Sequence, residues 1–204
     1  DLFGYPFCRG RIFDELETDR GQYDDQREIF WATGACLFVR AELYHRLGGL
    51  DEDFFAHMEE IDFCWRMKNA GYKLLVCPSS AVYHVGGGAL PKSSPRKTYL
   101  NFRNNLSLLI KNAPGKRLGW VLLTRYFLDA LAVLMFVSKG RWADAGAVWS
   151  AHGHFLRALP LFWKKRAASR QGELSQIYHG SLVWARFVHG VTVFENLKPG
   201  KWRN

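Results

Sequence analysis

The segment 117–138, RLGWVLLTRYFLDALAVLMFVS, constrains this chain more than any other. At ~1.5 Å per residue, a helix of this length reaches across the hydrocarbon core of a bilayer. Arg125 and Asp129 stand in its middle. Each costs ~2.5–3.5 kcal/mol at a bilayer centre on the insertion scale. They are four residues apart, so they share one helical face and can pair. A helix lying in the membrane interface, or packed on the protein, is therefore more economical than a span.

Charge divides the chain in the same region. Residues 1–90 carry 9 Lys+Arg against 15 Asp+Glu, a net of −6. Residues 91–204 carry 19 against 4, a net of +15. A basic half of this strength faces something anionic, either a nucleic acid or an anionic membrane surface. No helix-turn-helix, zinc-finger or RNA-binding signature is present, and the basic half is too apolar for a solvated groove binder. The expected partner is thus the membrane surface and not nucleic acid. Trp120, Trp142, Trp149 and Trp163 suit its headgroup region.

The 204 residues, 48% hydrophobic and 23% charged, exclude a disordered chain and need no staple to fold. Cys8, Cys36, Cys64 and Cys77 show no CxxC spacing and read as free thiols of a reducing compartment. Three of them have apolar neighbours and are expected to be buried. The chain begins at Asp1 without a signal-peptide pattern and reads as a piece of something longer.

Residues 1–30 read as mostly loop. Residues 31–39 (WATGACLFV) read as a buried strand, 40–47 as a short helix stopped by Gly48 and Gly49, and 51–58 (DEDFFAHM) as an acidic-aromatic connection. The pattern predicts a helix over 59–70, a strand over 72–77 stopped by Pro78, and another over 80–84 running into Gly86, Gly87 and Gly88. Ser94-Pro95 opens a helix that runs to about Asn112. A second amphipathic stretch covers 142–166, a linker 167–176, and an aromatic segment 177–195. No internal repeat is present.

Four constellations could carry chemistry. Glu59, Glu60 and Asp62 open the 59–70 helix. Three carboxylates so close repel one another, so at least one pKa should rise, as a general base requires. The plain alternative is that they complement the helix dipole. His84 ends a strand beside the glycines, where it could ligate a metal or simply precede a flexible turn. Trp31 with Thr33-Gly34-Ala35 could line a sugar or nucleotide site, or pack in the core. Arg103-Asn104-Asn105, near Arg96 and Lys97, could meet a diphosphate or form a solvated helix face. His152 and His154 point apart on a helix, and His45 and His57 read as surface or packing residues.

Taken in order, these segments resemble one family. WATGACLFVRAELYHRLGGLDEDFFAHMEEIDFCWRMKNAGYKLLVCPSSAVYHVGGG is similar to the second half of a family 2 glycosyltransferase catalytic domain, nearest its rhamnosyltransferase-like bacterial members. The shared pattern is a small-residue strand, a GG(F/L)DE.FF turn, an acidic E(D/E).D helix start, R….GY, and a strand ending YH.GG. The likeness covers roughly residues 25–110.

The resemblance implies an α/β fold: the acceptor-side, C-terminal half of a GT-A Rossmann-like domain in residues 1–112. A helical, partly amphipathic tail follows in 113–204. It implies an inverting single displacement, in which a carboxylate deprotonates the acceptor hydroxyl. A divalent metal, Mg or Mn, would hold a nucleotide-sugar donor. Glu60 matches the base, and Glu59, Asp62, Trp31, Gly34, Ala35 and Arg103 the substrate-binding positions. His84 matches the metal or diphosphate position. Many relatives carry Asp where Glu60 stands; the extra methylene shifts the carboxylate by ~1.5 Å, so a neighbour could serve instead.

The acceptor would be a saccharide or lipid-linked glycan, and the location cytoplasmic, on the inner face of the membrane. Nothing in residues 1–30 supplies the first βαβ units or a DxD motif, because Asp24-Asp25 is followed by Gln26. The chain is thus expected to be a fragment, inactive alone. The competing function is a non-catalytic, membrane-associated saccharide- or partner-binding module.

Overall fold

The computed structural model describes residues 1–85, 94–167, 175–197 and 202–203. Six helices dominate them: α1 Ala41–Arg46, α2 Glu59–Asn69, α3 Pro95–Asn112, α4 Gly115–Ser138, α5 Trp142–Ala167 and α6 Leu182–Phe187. The boundaries follow local chemistry. Gly48 and Gly49 end α1 with φ of 77° and 64°, a region open to glycine. Pro95 starts α3 at the first helical turn; Ser94 precedes it, but its hydroxyl makes no capping bond. Ser181 does cap α6, accepting from the Trp184 backbone N–H at 3.1 Å.

The strands are short. They form three separate antiparallel pairs: β1 Arg11–Ile12 with β2 Glu15–Leu16, β3 Arg27–Ile29 with β4 Leu74–Val76, and β5 Ile177–Tyr178 with β6 Trp202–Arg203. In the central pair Glu28 faces Leu75. The described residues are therefore mixed and mostly helical, and they do not display the expected Rossmann-like sheet. Two sequence expectations fail here. Residues 31–39 contain a 3-10 turn, Gly34–Cys36, flanked by extended chain without a ladder partner. Residues 80–84 are irregular and exposed. An apolar run becomes a strand only where a neighbour completes its hydrogen bonds, and among the described residues neither segment has one. The three glycines at 86–88 and most of the expected linker lie outside the described residues.

The main core runs between α2, α3, α4 and α5. It contains Phe54, Ile61, Trp65, Leu106, Leu109, Val121, Phe155 and Phe162. The helices from the basic half thus pack on the acidic half. Pairs such as His152 with Asp129 and Val148 with Phe136 show α4 and α5 running antiparallel. Burial of the cysteines is corrected: only Cys64 is buried, Cys36 is half-buried, and Cys8 and Cys77 are exposed. Cys64 lies on the inward face of α2, whereas Cys77 follows the end of β4, where the chain leaves the core.

Candidate functional site at the start of α2

The turn that leads into α2 is unusual. Phe55, His57 and Met58 all have positive φ, at 65°, 68° and 74°. For side-chain-bearing residues this conformation is costly and needs support from its surroundings. Phe54 anchors one end: it is fully buried, with its ring 5.6 Å from that of Phe162. Asn104 of α3 holds the rest. Its buried Nδ2 donates to the carbonyls of Phe54, Ala56 and His57 at 2.9, 2.8 and 2.7 Å. Arg103 donates to the carbonyls of Asp53 and Phe54, each at 2.9 Å, and from Nε to Asn104 Oδ1 at 2.7 Å. The 103–105 segment is therefore neither a solvated face nor, in this arrangement, a free anion-binding fork. Two of its residues clamp the turn.

That clamp sets out three acids with different fates. Asp62 is fully buried and satisfied by Arg66 at 2.8 Å, Lys111 at 2.8 Å and Asn112 at 2.7 Å. It is an internal ion-pair centre, enclosed among these three partners. Glu59 and Glu60 differ. Each is half-buried, and in each Oε2 is shut off from solvent with no hydrogen-bond partner among the described residues. Burial, and then the charge of Glu59, push the Glu60 carboxyl above its ordinary range. Backbone N–H groups of the first turn offset part of this. His57 joins them: its Nε2 is likewise enclosed and unpartnered, and burial and Lys97 lower its pKa. Sequence reading gave His57 no role; its neighbour Glu59, two residues on, was the available signal.

The small-residue segment does approach this acid. Thr33 Oγ1 accepts from the Ala35 N–H at 3.5 Å, and a Cβ placed on Gly34 would lie 3.9 Å from Glu60 Cβ. That is an ordinary contact, so Gly34 is not sterically required there. Trp31 is half-buried. It packs against the core, as one reading expects, and also lines a cavity of about 420 Å³. Phe30, Thr33, Trp65 and Tyr178 share the wall. Trp65 is almost wholly buried, and its indole N–H has no acceptor among the described residues. A buried donor without a partner costs about 1–3 kcal/mol, which a ligand can recover. A second, open crevice of about 530 Å³ is lined by Asp51, Asp53, Arg66, Lys111 and Lys165, all already engaged in ion pairs.

His84 stands apart, exposed on irregular chain. Among the described residues no three His, Cys, Asp or Glu side chains gather as a ligand set. The described residues therefore do not by themselves fit a divalent ion.

With this geometry in view, the chain's likeness to known proteins is informative. It is 37% identical over 59 residues to the N-acetylglucosaminyl-diphospho-decaprenol L-rhamnosyltransferase of Mycobacterium tuberculosis. It is 33% identical over 56 residues to rhamnosyltransferase WbbL of Escherichia coli K12, and 24% identical over 119 residues to dTDP-rhamnosyl transferase RfbF of Shigella flexneri. The relatives are glycosyltransferases. These matches cover 29%, 28% and 53% of this chain. They cover 19%, 21% and 40% of the relatives, so the chain spans well under half of each. No family model matches, and no solved structure matches.

Proposed function

We propose that this chain is the acceptor-side part of an inverting glycosyltransferase of family 2. It would act on a nucleotide-sugar donor and a saccharide or lipid-linked acceptor at the inner face of a cell membrane. The observation that carries the reading is the enclosed, unpartnered Oε2 of Glu60, on a carboxyl whose pKa is raised. A base of this kind holds a proton more tightly than a surface carboxylate, so it can take one from an acceptor hydroxyl as the hydroxyl attacks. The Asn104 clamp fixes the helix start that presents it. Glu59 adds negative charge beside the base, and Trp31 offers an aromatic face to a sugar ring. The names of the relatives support the reaction class, and their rhamnosyl donors are the first to try. Mg or Mn is proposed for the complete enzyme, with His84 as this chain's contribution; no step here runs through the metal.

The test is release of nucleoside diphosphate from UDP- and dTDP-sugars. It compares this chain with a longer version that carries the natural upstream sequence. Turnover is expected only in the longer protein, with Glu60→Gln abolishing it while the helical circular dichroism is kept. A general base works only when deprotonated, so kcat/KM should rise with pH through a value above the 4.5 of an ordinary glutamate. Full activity of Glu60→Gln would remove the base assignment. Silence of the longer protein with every donor would favour a non-catalytic binding module.

A further inference from the structure

α4 is built inside out. Its two charged residues past Arg117 are its best-hidden ones: Arg125 is 2% exposed and Asp129 1%. They pair at 3.1 Å. Arg125 also donates to Asn105 Oδ1 at 2.7 Å and to the Phe3 carbonyl at 3.2 Å, while Asp129 receives Tyr5 at 3.3 Å and meets His152 at 3.1 Å. The outward face between 119 and 138 carries no charge at all. On it Trp120, Leu123, Phe127 and Leu134 are each about two-thirds exposed. α5 repeats the pattern with a period of seven: Trp142, Trp149, Leu156 and Trp163 are all more than half exposed. Exposed Lys116 and Arg117 flank α4 at one end, Lys139 and Arg141 at the other.

From this we infer that α4 lies in the plane of an anionic membrane, its uncharged face in the headgroup–acyl boundary, with the α5 tryptophans beside it. It does not cross the bilayer. A span would carry the middle of α4 to the bilayer centre. The Arg125–Asp129 pair there is fastened to the Phe3 carbonyl, Tyr5, Asn105 and His152, so a span would have to take these partners into the bilayer or break the bonds. Lying flat leaves every one of those bonds intact and covers the exposed apolar side chains of α4. The basic flanks select the lipid: each cation near an anionic surface adds about 1 kcal/mol of attraction, and Trp favours that depth. A second copy of the chain fits less well, because a two-fold contact along this face sets like-charged flanks against each other. The inference refines the membrane placement proposed above and is independent of the transfer chemistry.

Vesicle binding tests it without donor or acceptor. The chain should sediment with phosphatidylcholine vesicles holding about 30% phosphatidylglycerol, and far less with phosphatidylcholine alone. Leu123→Glu and Trp149→Glu, both on exposed positions, should each weaken binding by about tenfold or more with unchanged circular dichroism. In intact cells Lys139→Cys should gain no label from a membrane-impermeant maleimide over the parent chain, and should gain it after permeabilisation. Labelling in intact cells would show a span and overturn the inference. So would failure of the folded chain to bind anionic vesicles, or face substitutions that dissolve a dimer while leaving vesicle binding intact. A longer protein, carrying the natural upstream sequence, that docks as expected but transfers no sugar from any donor would sink the enzymatic reading alone.

Discussion

α3 and α4 follow each other in sequence and invert each other's logic. α3 buries Asn104, Asn105, Ser107, Lys111 and Asn112, whereas α4 leaves tryptophan, leucine and phenylalanine in the open. Hydropathy alone would place each helix the other way. The difference lies in partners. Every buried polar side chain of α3 meets a carbonyl, a carboxylate or another polar group: Asn104 takes three carbonyls, Lys111 takes Asp51 and Asp62, and Asn112 takes Asp62. A polar group with its hydrogen bonds made can be buried at little cost, whereas an apolar one outside needs a cover that the described residues do not supply.

Breaking the inner side of this contrast should have the largest effect. Asp62→Ala leaves Lys111, Arg66 and Asn112 facing a hole, and removal of one partner from a buried ion pair costs about 3–5 kcal/mol. Urea denaturation of the chain should show it, and an unchanged midpoint would mean that water already reaches the site. Next comes Asn104→Ala, which strips the Ala56 and His57 carbonyls of their donor, while Phe54 keeps Arg103, at about 1–3 kcal/mol for each group left unsatisfied. The turn should relax, and transfer by the longer enzyme should fall more than stability alone explains. A variant stable to within experimental error would remove the clamp from the account.

A pH effect comes third. Burial raises the Asp51 carboxyl, but hydrogen bonds from Lys111 and Lys165 outweigh it and hold it at about 2, below its ordinary 3.8. A depressed carboxylate contributes stability that is complete above the unfolded value and fades as pH falls toward the folded one. The chain should thus lose stability between about pH 4 and 2, and Lys165→Met should make that decline shallower. The smallest effect belongs to the outer side. Leu123→Gln should change stability by no more than about 0.5 kcal/mol, as surface substitutions do. A large loss would show that the face is covered within the protein.

Much of this could be read in advance. The bounds of α2 and α3 follow from acids and bases at the ends of one and Ser94-Pro95 at the start of the other, and these signals are local. The pairing of Arg125 with Asp129 follows from their spacing. A raised carboxyl among Glu59, Glu60 and Asp62 is expected from their crowding; that it is Glu60, and that burial is the larger cause, shows only in the fold. What escaped was non-local. The strand expected at 31–39 has no neighbour among the described residues, a fact outside its own nine residues. The fate of Asp62 depended on Lys111 and Asn112, some fifty positions away. Asn104 could not be told from a surface asparagine until the 54–57 carbonyls turned toward it.

The end of α5 has one more consequence. Trp163 is exposed there, and two residues later Lys165 binds Asp51 and Asp53 at the foot of the turn that presents Glu60. Arg166 donates to the Ile110 and Ala113 carbonyls at 2.8 and 2.7 Å, locking the same helix end to α3. A side chain that would touch lipid and one that grips the candidate base's support are thus joined by a single helical turn. If the protein docks and transfers sugar as proposed, this junction would hold Glu60 at one height above the headgroups, and acceptors whose reactive hydroxyl reaches that height would react fastest. Transfer to a series of lipid-linked acceptors with graded spacers would peak at one length, and Lys165→Ala would flatten the peak.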